Sequence, residues 1–133
     1  MQTQLDVSAK ERKFVEISTA EKVETLVRWL NEKKAADLLA LDLAGEHLLC
    51  EAVILVTGTS LRHAKGLADF VLEECRKEKI EFLRMEGYTT AQWILLDLND
   101  VVIHIFQPET RDLYRLDDLW PSADILADGR KEM

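Results

Sequence analysis

Residues Trp93 to Phe106 read WILLDLNDVVIHIF, two apolar runs on either side of Leu98-Asn99. A two-residue hairpin turn demands positive φ, and Asn tolerates it best after Gly, so the stretch is predicted to be a β-hairpin with Asp97 opposite Asp100. Side chains alternate across a strand, which sorts the hairpin into two faces. One carries Trp93, Leu95, Asp97, Asp100, Val102, His104 and Phe106; the other carries Ile94, Leu96, Val101, Ile103 and Ile105. The second face is purely aliphatic, as a sheet face under helices is. The first mixes aromatics, aliphatics, carboxylates and a histidine, a set no core holds without partners for its charges. It is a surface for another molecule, an ordinary solvated sheet face, or a face covered by the chain's own termini.

Working outward, the elements needed around such a hairpin are present. Ser18-Thr19-Ala20-Glu21 matches a capping box. Val23, Leu26, Val27 and Leu30 follow at i, i+3, i+4, i+7, predicting a helix to about Lys34 with Trp29 widening its stripe. Asp37–Leu43 and Ala52–Thr57 read as central strands, because apolar residues occupy consecutive positions, and the link Ala44 to Glu51 is short enough for a hairpin. Gly58-Thr59-Ser60 stops the second strand. Ala64, Leu67, Ala68, Val71, Leu72 and Cys75 then keep a helical period, Phe82–Glu86 forms a short strand, and Pro108 opens a last helical turn. The expected fold is α/β (α+β): a mixed sheet of about five strands with helices packed on it. Residues 1–17 are expected to be a flexible leader, 18–121 the domain, and 122–133 a loose tail.

Composition narrows the function. The chain has 133 residues and a net charge of −8, which disfavours direct binding to nucleic acid or anionic lipid, since both need clustered Lys and Arg. The charge is uneven: from Leu67 onward stand fifteen acids and eight bases, and no Lys or Arg lies between Arg84 and Arg111. An apolar surface rimmed by carboxylates complements a basic protein surface with an apolar centre. No apolar stretch approaches the ~20 residues of a membrane span. Cys50 and Cys75 form no disulfide framework and suit a reducing cytoplasm, so a cytoplasmic location is expected.

The motifs that suggest chemistry are weak. Thr57-Gly58-Thr59-Ser60 stands between a strand and a helix, where phosphates bind, but it is no P-loop. Ser60 and His63 share a helix face, yet Ser60 is the natural N-cap. His47-x-x-Cys50 lacks a second metal-binding pair, and Asp97 and Asp100 flank a turn rather than forming D-x-D. No enzyme, metal or cofactor is expected.

The order of motifs nevertheless carries a resemblance. Thr57-Gly58-Thr59-Ser60-Leu61-Arg62-His63 is similar to the T-G-x-S-x-R-H segment of the Iojap family, also called ribosomal silencing factor S. Glu86-Gly87, Trp93, Leu96-Asp97, Asp100 to His104, Tyr114 and Leu119-Trp120 resemble its C-terminal signature E-G…W…D-x-G-D-V-x-V-H…Y…L-W, with Asn99 where Gly is usual. Lys34 to Leu43 resembles its opening strand. The resemblance implies a sheet related to nucleotidyltransferases without their activity. It also implies binding to the large ribosomal subunit through its fourteenth protein, blocking the small subunit and damping translation under nutrient limitation. Organelle relatives assist large-subunit assembly, the first alternative; a nucleotide-binding enzyme is the second. Trp93 and Leu98 carry over as apolar contacts, and Asp97 and Asp100 as partners for basic residues. His104 and Phe106 extend the site because they share Trp93's face. The same face suits self-association, so a homodimer is the further expectation.

Overall fold

The computed structural model describes residues 14–43 and 50–131. Leader residues 1–13, most of the link 44–51 and His47 therefore lie outside the described residues. The elements are α1 (Thr19–Glu32), β1 (Ala36–Asp42), β2 (Ala52–Thr57), α2 (Leu61–Glu78), β3 (Arg84–Glu86), β4 (Trp93–Asp97), β5 (Val101–Phe106), α3 (Pro108–Tyr114), a 3₁₀ turn (Leu116–Asp118) and β6 (Asp124–Asp128). They form an α+β fold around one mixed sheet in the order β3-β4-β5-β2-β1-β6. Only β2 and β5 run parallel; the other neighbours are antiparallel.

Local chemistry starts each helix. The Ser18 hydroxyl accepts from the Glu21 N–H at 3.1 Å, and Glu21 reaches back to the Ser18 N–H at 3.3 Å, closing the capping box. Ser60 caps α2 by accepting from the His63 N–H at 3.0 Å. The helix ends at Lys79 with φ 57°. All six residues of β2 are buried, as its unbroken apolar run requires.

Helices α1 and α2 cover one face. Leu26, Trp29 and Leu30 from α1 and Leu67, Val71 and Cys75 from α2 meet Ile54, Ile94, Leu96, Ile103 and Ile105 from the sheet. A second core lies on the other face, where Leu39, Leu41, Val53, Leu55 and Phe106 are packed under Leu116, Trp120 and Ala123. Part of the mixed face is therefore covered by the chain's own C-terminal segment, between α3 and β6.

The described sheet has six strands, in keeping with the mixed sheet of about five that was expected. Two expectations need correction. The sixth strand comes from the tail expected to be loose: Asp124–Asp128 pairs antiparallel with β1, and the Gly129 N–H donates to the Leu38 carbonyl at 2.6 Å. Five residues bracketed by Asp carry no periodic signal; the free edge of β1 is what recruits them. The hairpin register also differs, with Asp97 opposite Val102 and Leu98 bonded to Val101, so the turn is Asn99-Asp100. Asn99 takes the positive φ, 80°, and its N–H donates to Asp97 Oδ1 at 2.9 Å.

Candidate functional site

The register slip moves the pairing by two residues, an even number, so the strand residues keep the faces predicted for them. Trp93, Leu95 and Asp97 share a face with Val102, His104 and Phe106. What changes is the turn. Leu98 is 0% exposed and joins the core under the helices. It cannot be an open contact in this conformation, which corrects its role as a surface residue. Asp100 also turns toward α1: its carboxylate lies 2.6 Å from the Lys22 ammonium and 2.6 Å from the Thr19 hydroxyl. Lys22 itself is buried and donates to the Leu98 carbonyl at 3.3 Å. Burial would raise the Asp100 pKa, but the bonds from Lys22 and Thr19 outweigh it and hold it below the usual carboxylate value. Asp100 thus joins α1 to the hairpin tip.

Four of the six expected residues remain together, in depth rather than as a flat patch. Phe106 is fully buried, Trp93 lies half-buried over it with ring centroids 5.0 Å apart, and Tyr114 from α3 lies 5.0 Å from Trp93 and is 55% exposed. His104 sits beneath the indole, buried, and its Nδ1 accepts the Trp93 Nε1–H at 3.0 Å. Burial lowers the His104 pKa to about 4. The ring is therefore neutral at pH 7, with its proton on Nε2, because Nδ1 is occupied as an acceptor. This bond fixes the indole plane, leaving a rigid aromatic edge at the surface. Tyr114 belongs to this cluster although it was not among the expected site residues. Its signal was present in the sequence, as the Tyr of the C-terminal signature, but no periodicity links α3 to β4.

Asp97 stands at the far end of the same face. Its carboxylate accepts from Arg84 Nε at 3.2 Å, and Arg84 also pairs with Glu86 at 2.7 Å. A basic partner would exchange with this half-exposed guanidinium rather than meet a bare acid. At the opposite, Trp93 end, Gly87 has φ 82°, and a Cβ there would collide with the Trp93 carbonyl, so the turn before β4 runs close against that strand's first residue.

The residues with catalytic potential are occupied by structural bonds. The Thr57 hydroxyl accepts from Arg111 at 3.1 Å, the Thr59 N–H donates to His63 Nδ1 at 2.9 Å, and Ser60 caps α2. His63 Nε2 faces the Lys33 carbonyl at 2.9 Å, tying the end of α1 to the start of α2. A Cβ on Gly58 would lie 2.8 Å from Ala64, so the glycine serves close packing of strand on helix. The Cys75 thiol is buried and its pKa is pushed up to about 11; Cys50 is also raised, by burial and then by Asp97 and Asp100. Both are poor nucleophiles.

The family model described as "Ribosomal silencing factor during starvation" matches residues 16–132. The chain is 37% identical over 98 residues to the ribosomal silencing factor RsfS of Haemophilus influenzae, covering 74% of this chain and 96% of that one. It is 27% identical over 103 residues to the mouse protein named mitochondrial assembly of ribosomal large subunit protein 1, covering 74% and 44% respectively. A crystal structure from Chromobacterium violaceum superposes with a TM-score of 0.77 at 28% identity, covering 88% of this chain and 92% of that chain. One from Bacillus halodurans gives 0.71 at 31%, covering 80% and 97%.

Proposed function

The chain belongs to the ribosomal silencing factor family, and from that membership we propose that it represses translation by binding the large ribosomal subunit and blocking association with the small one. The docking partner is the basic fourteenth protein of the large subunit, and the docking surface is the β4–β5 face around Trp93. The match over residues 16–132 carries the reading. The half-buried indole supports the choice of surface: it is rigid, backed by Phe106 and His104, and able to exclude water from neighbouring charge pairs. Val102 and Leu95, both partly exposed, extend the apolar centre, and Asp97 and Glu86 form an acidic rim. A chain of net charge −8 is repelled by ribosomal RNA, which directs it to protein. The work is steric occupancy of a joining surface in the cytoplasm under nutrient limitation, and no reaction is assigned to it.

The test is sedimentation with purified large subunits, followed by addition of small subunits. Co-sedimentation and a loss of joined ribosomes are expected. Failure to co-sediment at low salt rejects the proposal. The name of the mouse relative favours a second reading, assistance in large-subunit assembly. Normal large-subunit profiles in cells lacking the protein would reject that one. Self-association through the Trp93 face would compete with docking, and light scattering across concentration reads it directly.

A further inference from the structure

Among the described residues, the helical layer over the sheet stops short of its β6 end. A helix is ~10 Å across and strands lie ~4.8 Å apart, so one helix covers about two strands. Helix α1 packs on β1, β2 and β5, and α2 packs on β4 and β5. Neither is packed on β6 to that extent. Between α1 and β6 a groove of about 360 Å³ remains among the described residues. Its wall is Ala20, Val23 and Val27, spaced i, i+3, i+7 along α1, and its floor is Ala52, Leu126 and Ala127. Three of these six are alanines, which let another backbone approach closely. Leu126 is 47% exposed and its neighbour Ile125 is 56% exposed, on a strand whose outer edge has no described partner.

The rim has a single sign. Glu24, Asp42 and Glu51 line the groove, and among the described residues no Lys or Arg does. Asp124, paired in register with Asp42, adds a fourth carboxylate at the β6 side. Of the two bases that flank the wall on α1, Lys22 is buried and engaged with Asp100, and Arg28, exposed beside Val27, lies outside the lining. Two copies of this surface brought face to face would set acid against acid. The i, i+3, i+7 wall is an apolar stripe, and packed helices lie about 8–10 Å apart between axes.

We infer that the groove between α1 and β6 is a docking site for an amphipathic basic helix of another protein, its apolar stripe seated on Ala20, Val27 and Leu126 and its Lys or Arg residues paired with Glu24 and Glu51. The site lies on the sheet face opposite Trp93, so it can be filled while the β4–β5 face is engaged. It stands independently of the ribosomal reading.

The probe is a labelled helical peptide of about eighteen residues, five turns long. Leu stands at i, i+3, i+4 and i+7, and Lys elsewhere, and the peptide is titrated against the full chain by anisotropy at physiological salt. Saturable one-to-one binding is expected. Glu24→Lys weakens it by at least about tenfold, whereas Glu78→Lys, an equal charge change on α2, alters it by less than about twofold. Leu126→Ser weakens it and Trp93→Ala leaves it unchanged. Glu24 is exposed, so its variant retains the fold, which circular dichroism checks. Absence of binding, equal binding of a scrambled peptide, or equal loss with Glu24→Lys and Glu78→Lys overturns the proposal. So does a dimer abolished by Leu126→Ser, which would assign the groove to a second copy.

Discussion

The indole N–H of Trp93 donates to Nδ1 of His104 across the β4–β5 pair at 3.0 Å. The two residues are diagonal cross-strand neighbours, since Trp93 stands opposite Phe106 and His104 opposite Leu95. The bond needs a neutral imidazole, and the low His104 pKa of about 4, set by burial, supplies one. A histidine depressed from its unfolded value of ~6.5 contributes stability that is complete above that pH and lost as pH falls toward the folded pKa. The unfolded chain binds the extra proton in that window, so unfolding free energy rises with pH there. Urea titrations between pH 6.5 and 4 should show a loss on the order of 3 kcal/mol from this group. In His104→Gln, which does not titrate, that part of the slope should vanish. Asp100 and Asp117, both held low by basic partners despite burial, act in a more acidic window.

Trp93 and Leu98 carry the same expected role as apolar contacts, but the structure gives them different surroundings. Trp93→Ala should cost ~2 kcal/mol or more in affinity for the large subunit. Leu98→Ala, at a fully buried position, should instead cost ~2–5 kcal/mol in stability. Equilibrium unfolding alongside co-sedimentation separates them; an unchanged unfolding midpoint for Leu98→Ala would refute its placement in the core.

The two hairpin carboxylates should part in the same way. Asp100→Asn removes the counter-charge of buried Lys22 and should lower stability by about 2 kcal/mol, between the values of exposed and fully buried pairs. Asp97→Asn breaks the pair with the exposed Arg84 while its amide oxygen still accepts the Asn99 N–H, so its effect on stability should stay within about 0.5 kcal/mol. Its effect should fall on large-subunit binding, with a weaker salt dependence. Equal destabilisation by the two would show that Asp97 is structural.

Arg111 joins the C-terminal segment to the sheet. Its guanidinium is buried, pairs with both Asp117 oxygens at 3.0 and 2.7 Å, and donates to the Asp37 carbonyl at 2.6 Å. Arg111→Met should cost about 3 kcal/mol, or roughly 10 °C in Tm, by taking the donor from the Asp37 carbonyl and leaving Asp117 without its two close bonds, its contact with Arg130 being the longer one at 3.6 Å. Arg111→Lys should not restore it, because an ammonium cannot reproduce the fork. Full stability in Arg111→Lys would refute this account.

What the residues by themselves determined is local. Capping at Ser18 and Ser60 depends on neighbours three residues away, and helix stripes on spacing alone. The faces of β4 and β5 follow from a period of two, which is why a register slip of two residues left them intact. The aromatic centre of the proposed site was therefore legible. Tertiary structure decided the rest, because each remaining choice depends on a partner distant in the chain. Lys22, 78 positions from Asp100, draws that carboxylate off the Trp93 face, and the buried packing under α1 takes Leu98 with it. Tyr114 reaches Trp93 only because α3 folds back over the sheet. The open edge of β1 turns Asp124–Asp128, weak in strand signal, into β6, since pairing satisfies main-chain groups whatever the side chains are.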